Sequence, residues 1–156
     1  MLDPDVFALL AAGSGLIVGT VSPDGEPRAT RAWHAVPIDP EAGRLRVLVT
    51  ADDPVAVANL AVGAAISVTA ADVVTLRSAQ VKGEIASVGA PTDADREGVE
   101  TSSAHFFQQI LETDGTPLEL TRRILPLELL AVDVVVAERF DQSPGPQAGS
   151  AVGAPP

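Results

Sequence analysis

The chain has no cysteine and no tyrosine, one tryptophan, one methionine and a single lysine, Lys82, in 156 residues. Without cysteine there are no disulfides, no thiolate metal sites and no cysteine nucleophile, an absence that suits a reducing compartment. The two histidines, His34 and His105, are too few for a multi-histidine metal centre within one chain. Basic residues are scarce: 10 Lys and Arg stand against 21 Asp and Glu, a formal charge of −11. That balance excludes nucleic acid as a partner, because phosphate backbones require concentrated positive charge. It also argues against docking on anionic lipid, while a local basic pocket for one small anion stays compatible with it. Long hydrophobic runs are missing as well. The uncharged run from Val6 to Pro23 is interrupted by Gly13, Ser14, Gly15 and Gly19, whereas a membrane span needs roughly 20 mainly apolar residues. The start, MLDPD, lacks the basic residues of a secretory signal. A soluble cytoplasmic protein with no membrane partner is the expectation.

What is present is an apolar content of 46%, most of it Ala and Val. With so few aromatics the core must be built of small and β-branched side chains, which favours closely packed strands. The length suits one domain. A short helix opens the chain, with Val6, Leu9 and Leu10 at helical spacing and glycines to end it. GLIVGTVS, PRATRAWHAV and RLRVLVT read as three strands of a meander, joined by the turns SPDGEP and IDPEAG. DDPVAVANLAVG starts a short helix, with Asp52 or Asp53 at the cap and Pro54 in the first turn. AAISVTAAD and the stretch from Thr75 to about Val88 are the fourth and fifth strands. Residues 91–113 form an acidic helix with Phe106, Phe107, Ile110 and Leu111 inward. TPLELTRRI is a shorter helical piece, and LELLAVDVVVAERF is the closing strand. The expected fold is mainly β, a six-stranded antiparallel Greek-key split barrel with peripheral helices. It spans residues 1–140 with a helical insertion at about 91–125. Residues 141–156 are a Gly/Pro-rich tail without a core of its own.

No nucleophile elbow, zinc-binding H-E-x-x-H, Walker loop or dinucleotide fingerprint occurs. No catalytic residue and no metal ligand is therefore assigned. His34 falls on a strand face with Arg28, Thr30, Ala32 and Val36 if alternation is unbroken, and a structural role suits it and His105 better than ligation. Arg28 and Arg31, three apart on a strand, must face opposite sides. A guanidinium drawn inward needs either a carboxylate or a bound anion such as phosphate. In the fifth strand Leu76, Ser78, Gln80, Lys82 and Glu84 share one face, which is either a solvated surface or the wall of a site.

The succession SPDGEPRATRAWHA, RLRVLVT, DDPVAVANLAVGAAISVTAAD and TLRSAQVKGEI, with the ending DQSPGPQAG, resembles the pyridoxamine 5′-phosphate oxidase-like family of flavin-binding split barrels. The resemblance covers about residues 5–90 and 127–149. It implies a homodimer with FMN in a groove between two barrels, and F420 or haem as alternatives in related barrels. It implies that Arg31, with Arg28 as the fallback, meets the phosphate. Thr50 ends the third strand at the family's position, and Ser78, Gln80 and Lys82 lie on the face that meets the ring edge. The implied activity is a flavin- or deazaflavin-dependent oxidoreductase acting on a small organic substrate, or a non-catalytic flavin- or haem-binding and scavenging protein. One departure is specific. Family members place Ser, Arg or Lys at the start of the short helix to clamp phosphate, and this chain has Asp52, Asp53 and Pro54 there. The tail's SPGP turn either braces a lid or a neighbouring subunit or stays loose.

Overall fold

The structure, a computed structural model, describes residues 4–13 and 15–153. Its elements in chain order are α1 (Pro4–Ala11), β1 (Gly15–Val21), β2 (Pro27–Asp39), β3 (Arg44–Thr50), α2 (Pro54–Ala58), β4 (Ala65–Ala71), β5 (Ser78–Gly89), α3 (Asp93–Asp114), α4 (Leu118–Thr121), a 3-10 turn at Arg122–Ile124, and β6 (Leu129–Asp141). The six strands close into a barrel in the order β1-β2-β3-β6-β5-β4, every neighbouring pair antiparallel. The expected barrel is thus present, and closure leaves no sheet edge to protect.

Strand alternation sorts the barrel into an inside and an outside. Leu16, Val18, Leu45, Val47, Val49, Val68, Val81, Val132 and Val134 point inward and are almost completely buried. No aromatic ring belongs to that buried cluster, because closely spaced Val and Leu already fill a six-stranded barrel. Val6 and Leu10 of α1 join the same cluster and plug one end. A second, smaller core lies outside the barrel under α3. There Trp33 meets Phe107 edge-on at 6.0 Å, over Leu48 and Ala131. Helix α3 begins at a capping box, Thr92 and Asp95 bonding reciprocally, and ends at Gly115 in the left-handed conformation.

Two expectations drawn from strict alternation fail. The first concerns His34. A β-bulge interrupts the β2–β3 register between Ala32 and His34. Ala32 and Ala35 both pack in the barrel while Trp33 packs beneath α3, so His34 lies outside with Trp33 and not on the face of Ala32. One extra residue is enough to invert the face of everything beyond it. The second concerns the start of the fifth strand. The Asp72 carboxylate accepts the Val74 and Thr75 N–H groups, each at 2.9 Å, folding a local turn. Leu76 has φ +61° and is exposed. Residues 75–77 therefore belong to the turn, and the polar face begins at Ser78.

The described part of the tail is fastened to the barrel, with Val152 packed against its core. Asp141 N–H donates to Ser150, Gly149 N–H to Asp141, and Val152 N–H to Arg139, while Gln142 N–H donates to the Ser78 carbonyl. Phe140 forms an isolated bridge with Ala151. The SPGP turn folds the chain back along its own β6.

Candidate functional site

Helix α3 packs Val99 and Phe107 over Trp33 of β2, Leu48 of β3 and Ala131 of β6, and the outer face that runs from β2 through β1, β4 and β5 to the end of β6 is open over much of its area. Cross-strand pairing assembles it in rows. Arg31, Ile17, Thr69, Gln80 and Phe140 form one row, and Ala29, Gly19, Ser67, Lys82 and Glu138 the next. Around the second row lies an open groove of about 770 Å³, lined by Gly19, Val21, Arg28, Ala29, Ala65, Ser67, Lys82, Glu84, Ala137 and Glu138 among others. Its floor is flat because of Gly19, where a Cβ would stand 2.5 Å from the Ser67 hydroxyl oxygen. Lys82 rises from the wall with its ammonium 4.6 Å from the Phe140 ring centre, a cation–π contact.

The six residues singled out from sequence do not converge. Arg28 and Lys82 both line the groove. Gln80 sits one row away, and its amide donates to Thr69 Oγ1 at 2.9 Å. Ser78 lies further along β5, where its N–H donates to Ser143 Oγ beside the tail, and it lines a separate hollow of about 220 Å³ with Asp5, Arg77 and Asp141. Arg31 does face away from Arg28, as their spacing requires, and its guanidinium lies 5.5 Å from the Trp33 ring centre. The crevice beside it, under Ser102 and Phe106, holds only about 10 Å³, too little for a phosphate. Thr50 accepts the Trp33 indole N–H at 2.9 Å and is absent from the groove wall.

A phosphate-anchored cofactor needs N–H donors that are not already held by a carboxylate. At the groove's Arg28 end, the guanidinium donates through Nε at 2.9 Å and Nη2 at 2.6 Å to one oxygen of Asp53. The other oxygen accepts the Val55 and Ala56 N–H groups at 3.0 and 3.2 Å, capping α2. Arg28 first, and the Ala56 and Val55 amides after it, hold the Asp53 carboxyl below the usual carboxylate range. Asp52 is engaged separately, accepting the Leu127 and Glu128 N–H groups at 3.2 and 3.1 Å. Of the two outcomes open for Arg28, a carboxylate or a bound anion, the carboxylate is the one realised. Asp53 engages the α2 amides and two of the Arg28 donors, so a phosphate here would meet a carboxylate already on the guanidinium, a poor fit for FMN or any ligand anchored at this end by phosphate, although the ring-sized groove beside it is open.

Neither histidine reaches the groove wall. His34 Nδ1 shares a 2.8 Å hydrogen bond with Ser102, and α3 crosses it at Gly98, where a Cβ would lie 2.5 Å from Nε2. Burial lowers the His34 pKa, opposed in part by the charge of Asp95. The densest charge cluster is also under α3. Arg46 donates to both oxygens of Asp133, at 2.7 and 3.1 Å, with Ser87 adding a third bond and Asp95 3.5 Å away. It is a structural joint between β3, β6 and α3. Among the described residues, no three His, Asp or Glu side chains are grouped to hold a metal ion, and no helix is long and apolar enough to cross a membrane.

Glu84 lies on the polar β5 face picked out from sequence, whereas Gly19, Ser67 and Glu138 were not foreseen as groove residues. They meet only through the β1–β4, β4–β5 and β5–β6 pairings. The weak signal was a glycine and a serine on the outward positions of otherwise apolar strands.

No family model matches the chain, and no curated protein matches it. Solved structures do. A putative pyridoxamine 5′-phosphate oxidase from Lactobacillus delbrueckii superposes with a TM-score of 0.54 at 19% identity, over 89% of this chain and 93% of that one. HupZ from Group A Streptococcus gives 0.52 at 13% identity, over 96% and 100%. A protein described as an F420 reductase gives 0.52 at 17%, over 88% and 98%. At these identities the likeness establishes the fold alone: the chain shares the split-barrel architecture of these structures.

Proposed function

We propose that the open groove binds the ring of a flavin or deazaflavin, and that the protein is an oxidoreductase acting on a small organic substrate. The observation that carries this reading is the groove itself: about 770 Å³, floored by Gly19 and Ser67, with Lys82 in its wall and Arg28 at its end. Pockets of this size and largely apolar lining are ordinary small-molecule sites. A flavin-type ring brings its own redox chemistry, so the lack of a catalytic constellation is no objection. The chain's part is to bind and orient. Lys82 places a positive charge where a ring carbonyl can be met, and Gly19 keeps the floor free of side chains. The fold shared with a putative pyridoxamine 5′-phosphate oxidase and an F420 reductase supports the same ligand class.

In this reading the functional unit is a homodimer. Ile17, Val21 and Val135 are 43%, 48% and 44% exposed on the barrel's uncovered side, and a second copy lying there would close the groove. A second reading, non-catalytic flavin binding, is favoured by one observation: Asp53 pairs with Arg28, weakening any anchor for a tightly held cofactor. Haem has less support, because neither His34 nor His105 lines the groove.

Absorbance of the purified protein and thermal-shift titration with FMN, riboflavin, F420 and haemin test the proposal, with sedimentation to give the oligomeric state. Saturable stabilisation by a flavin or deazaflavin is expected. Stabilisation by none of the four, or by haemin alone, refutes the proposal. Turnover with a nicotinamide donor separates the enzyme from the binder.

A further inference from the structure

The Arg28 end of the groove is a complete anion site that already contains its anion. Four donors converge on Asp53: Nε and Nη2 of Arg28 on one oxygen, and the Val55 and Ala56 amides on the other. Pro54, between cap and amides, has no N–H to add. A second anion would have to share Arg28 with a carboxylate already bonded to it on two of its donors. Displacing the carboxylate would leave α2 uncapped and put two anions against one guanidinium.

The charges along the groove point the same way. Arg28 and Lys82 are offset by Glu84 and Glu138, so Asp53 tips the site to negative. Asp52, on the same loop, adds a carboxylate held in place by the Leu127 and Glu128 amides. A phosphate monoester, carrying between one and two negative charges near neutral pH, would enter a site of its own sign.

We propose that Asp53 is an internal substitute for a ligand phosphate, so that the groove selects a ring ligand without one, riboflavin or an uncharged analogue in preference to FMN. This rests on the groove being a flavin-type site, and it gives that site its specificity. It also assigns Arg28 a role: the guanidinium positions Asp53 and shapes the groove's end without touching the ligand.

The test is titration of riboflavin and FMN into the wild type, Asp53→Ser and Asp53→Asn. Ser and Asn are as good N-caps as Asp, so α2 keeps its start while the negative charge is removed. The wild type should bind riboflavin at least as tightly as FMN. Either variant should reverse the order, favouring FMN by about tenfold, the scale of one charge-assisted contact regained. Adding Arg28→Ala to Asp53→Ser should abolish that gain. Two variants guard against one failing to fold. Wild type that prefers FMN about tenfold, or variants that leave the ratio unchanged, would overturn the inference and leave the flavin site standing. If no protein binds either flavin, the inference falls, and the proposed function falls with it unless F420 binds.

Discussion

Replacing Asp133 with Asn removes one charge from the joint beneath α3 with almost no change of shape. Asp133 accepts two bonds from Arg46, at 2.7 and 3.1 Å, and one from Ser87 at 2.9 Å. Its side chain is 9% exposed and that of Arg46 28%. Hydrogen bonds to charged partners contribute about 1.5–3 kcal/mol each, and breaking a fully buried pair costs about 3–5 kcal/mol. Two facts of the structure reduce those figures. Arg46 keeps partial access to water, and Asp95 remains 3.5 Å away as a second partner. A third fact acts against the variant, since the charge of Arg44 also bears on Asp133 and the two arginines would lose their shared anion. A loss of about 2 kcal/mol at pH 7 is expected, which moves the urea midpoint down by about 1 M at a slope of ~2 kcal/mol/M. The pH dependence follows from the sign of the shift. Arg46 foremost, then Ser87, holds the Asp133 carboxyl below the usual range, so its contribution is complete above the unfolded value of about 3.9 and is lost as pH falls through the folded one. The gap between wild type and Asp133→Asn should therefore be full at pH 6–8 and narrow below about pH 4. Urea titrations at pH 7 and pH 3 decide it. A gap under about 0.5 kcal/mol at pH 7, the scale of an exposed pair, or one that persists undiminished at pH 3, would refute the account. The double replacement Arg46→Met with Asp133→Leu should recover most of the loss, as apolar substitutes for buried pairs commonly do.

Other perturbations test other parts of the molecule. Gly83→Ala puts a Cβ into the Val135 carbonyl across the β5–β6 bulge, and because the obstacle is backbone it should cost about 2–4 kcal/mol in chemical denaturation. Gly98→Ala drives a methyl to 2.5 Å from His34 Nε2; a loss of about 1–3 kcal/mol, largely relieved by His34→Ala, would show that this contact seats α3. His34 is held below its ordinary pKa chiefly by burial, so it stabilises the fold above about pH 6.5 and that stability is lost as pH falls through the lowered value. A His34 imidazole that titrates by NMR at or above that unfolded value would contradict it. Trp33, the only tryptophan, is 4% exposed and donates to Thr50; Thr50→Val leaves its buried N–H unpaired and should cost about 1–3 kcal/mol, read from the unfolding of the native tryptophan emission.

Parts of the groove could be read along the chain and parts could not. Lys82 stood out as the only lysine on a polar strand face, and the carboxylates at the start of α2 stood out as a departure from the resemblance. Both positions bear on the groove. Ser78 and Gln80 share Lys82's face by alternation, yet the groove passes beside them, because its other walls come from β1, β4 and β6. The failed parities of His34 and Leu76 have a common cause: a bulge and a side-chain-closed turn each shift the register by means that local hydrophobic pattern does not encode.

Composition and pattern by themselves determined the class of molecule: short alternating runs of Val, Ala and Leu with turn residues between them bury their apolar faces as a barrel, and few long side chains are needed to fill it. Local spacing likewise determined that Arg28 and Arg31 part company and that Asp52 or Asp53 caps α2. Only the tertiary structure decided which carboxylate meets Arg28, because residues 28 and 53 come within 2.6 Å through the β2–β3 pairing and the placement of α2. It also decided where the groove lies, since its floor joins β1 to β4 and β5 to β6 across long stretches of sequence. An ion pair or a pocket is a fact about distance in space, and a closed barrel makes neighbours of residues that the chain keeps far apart.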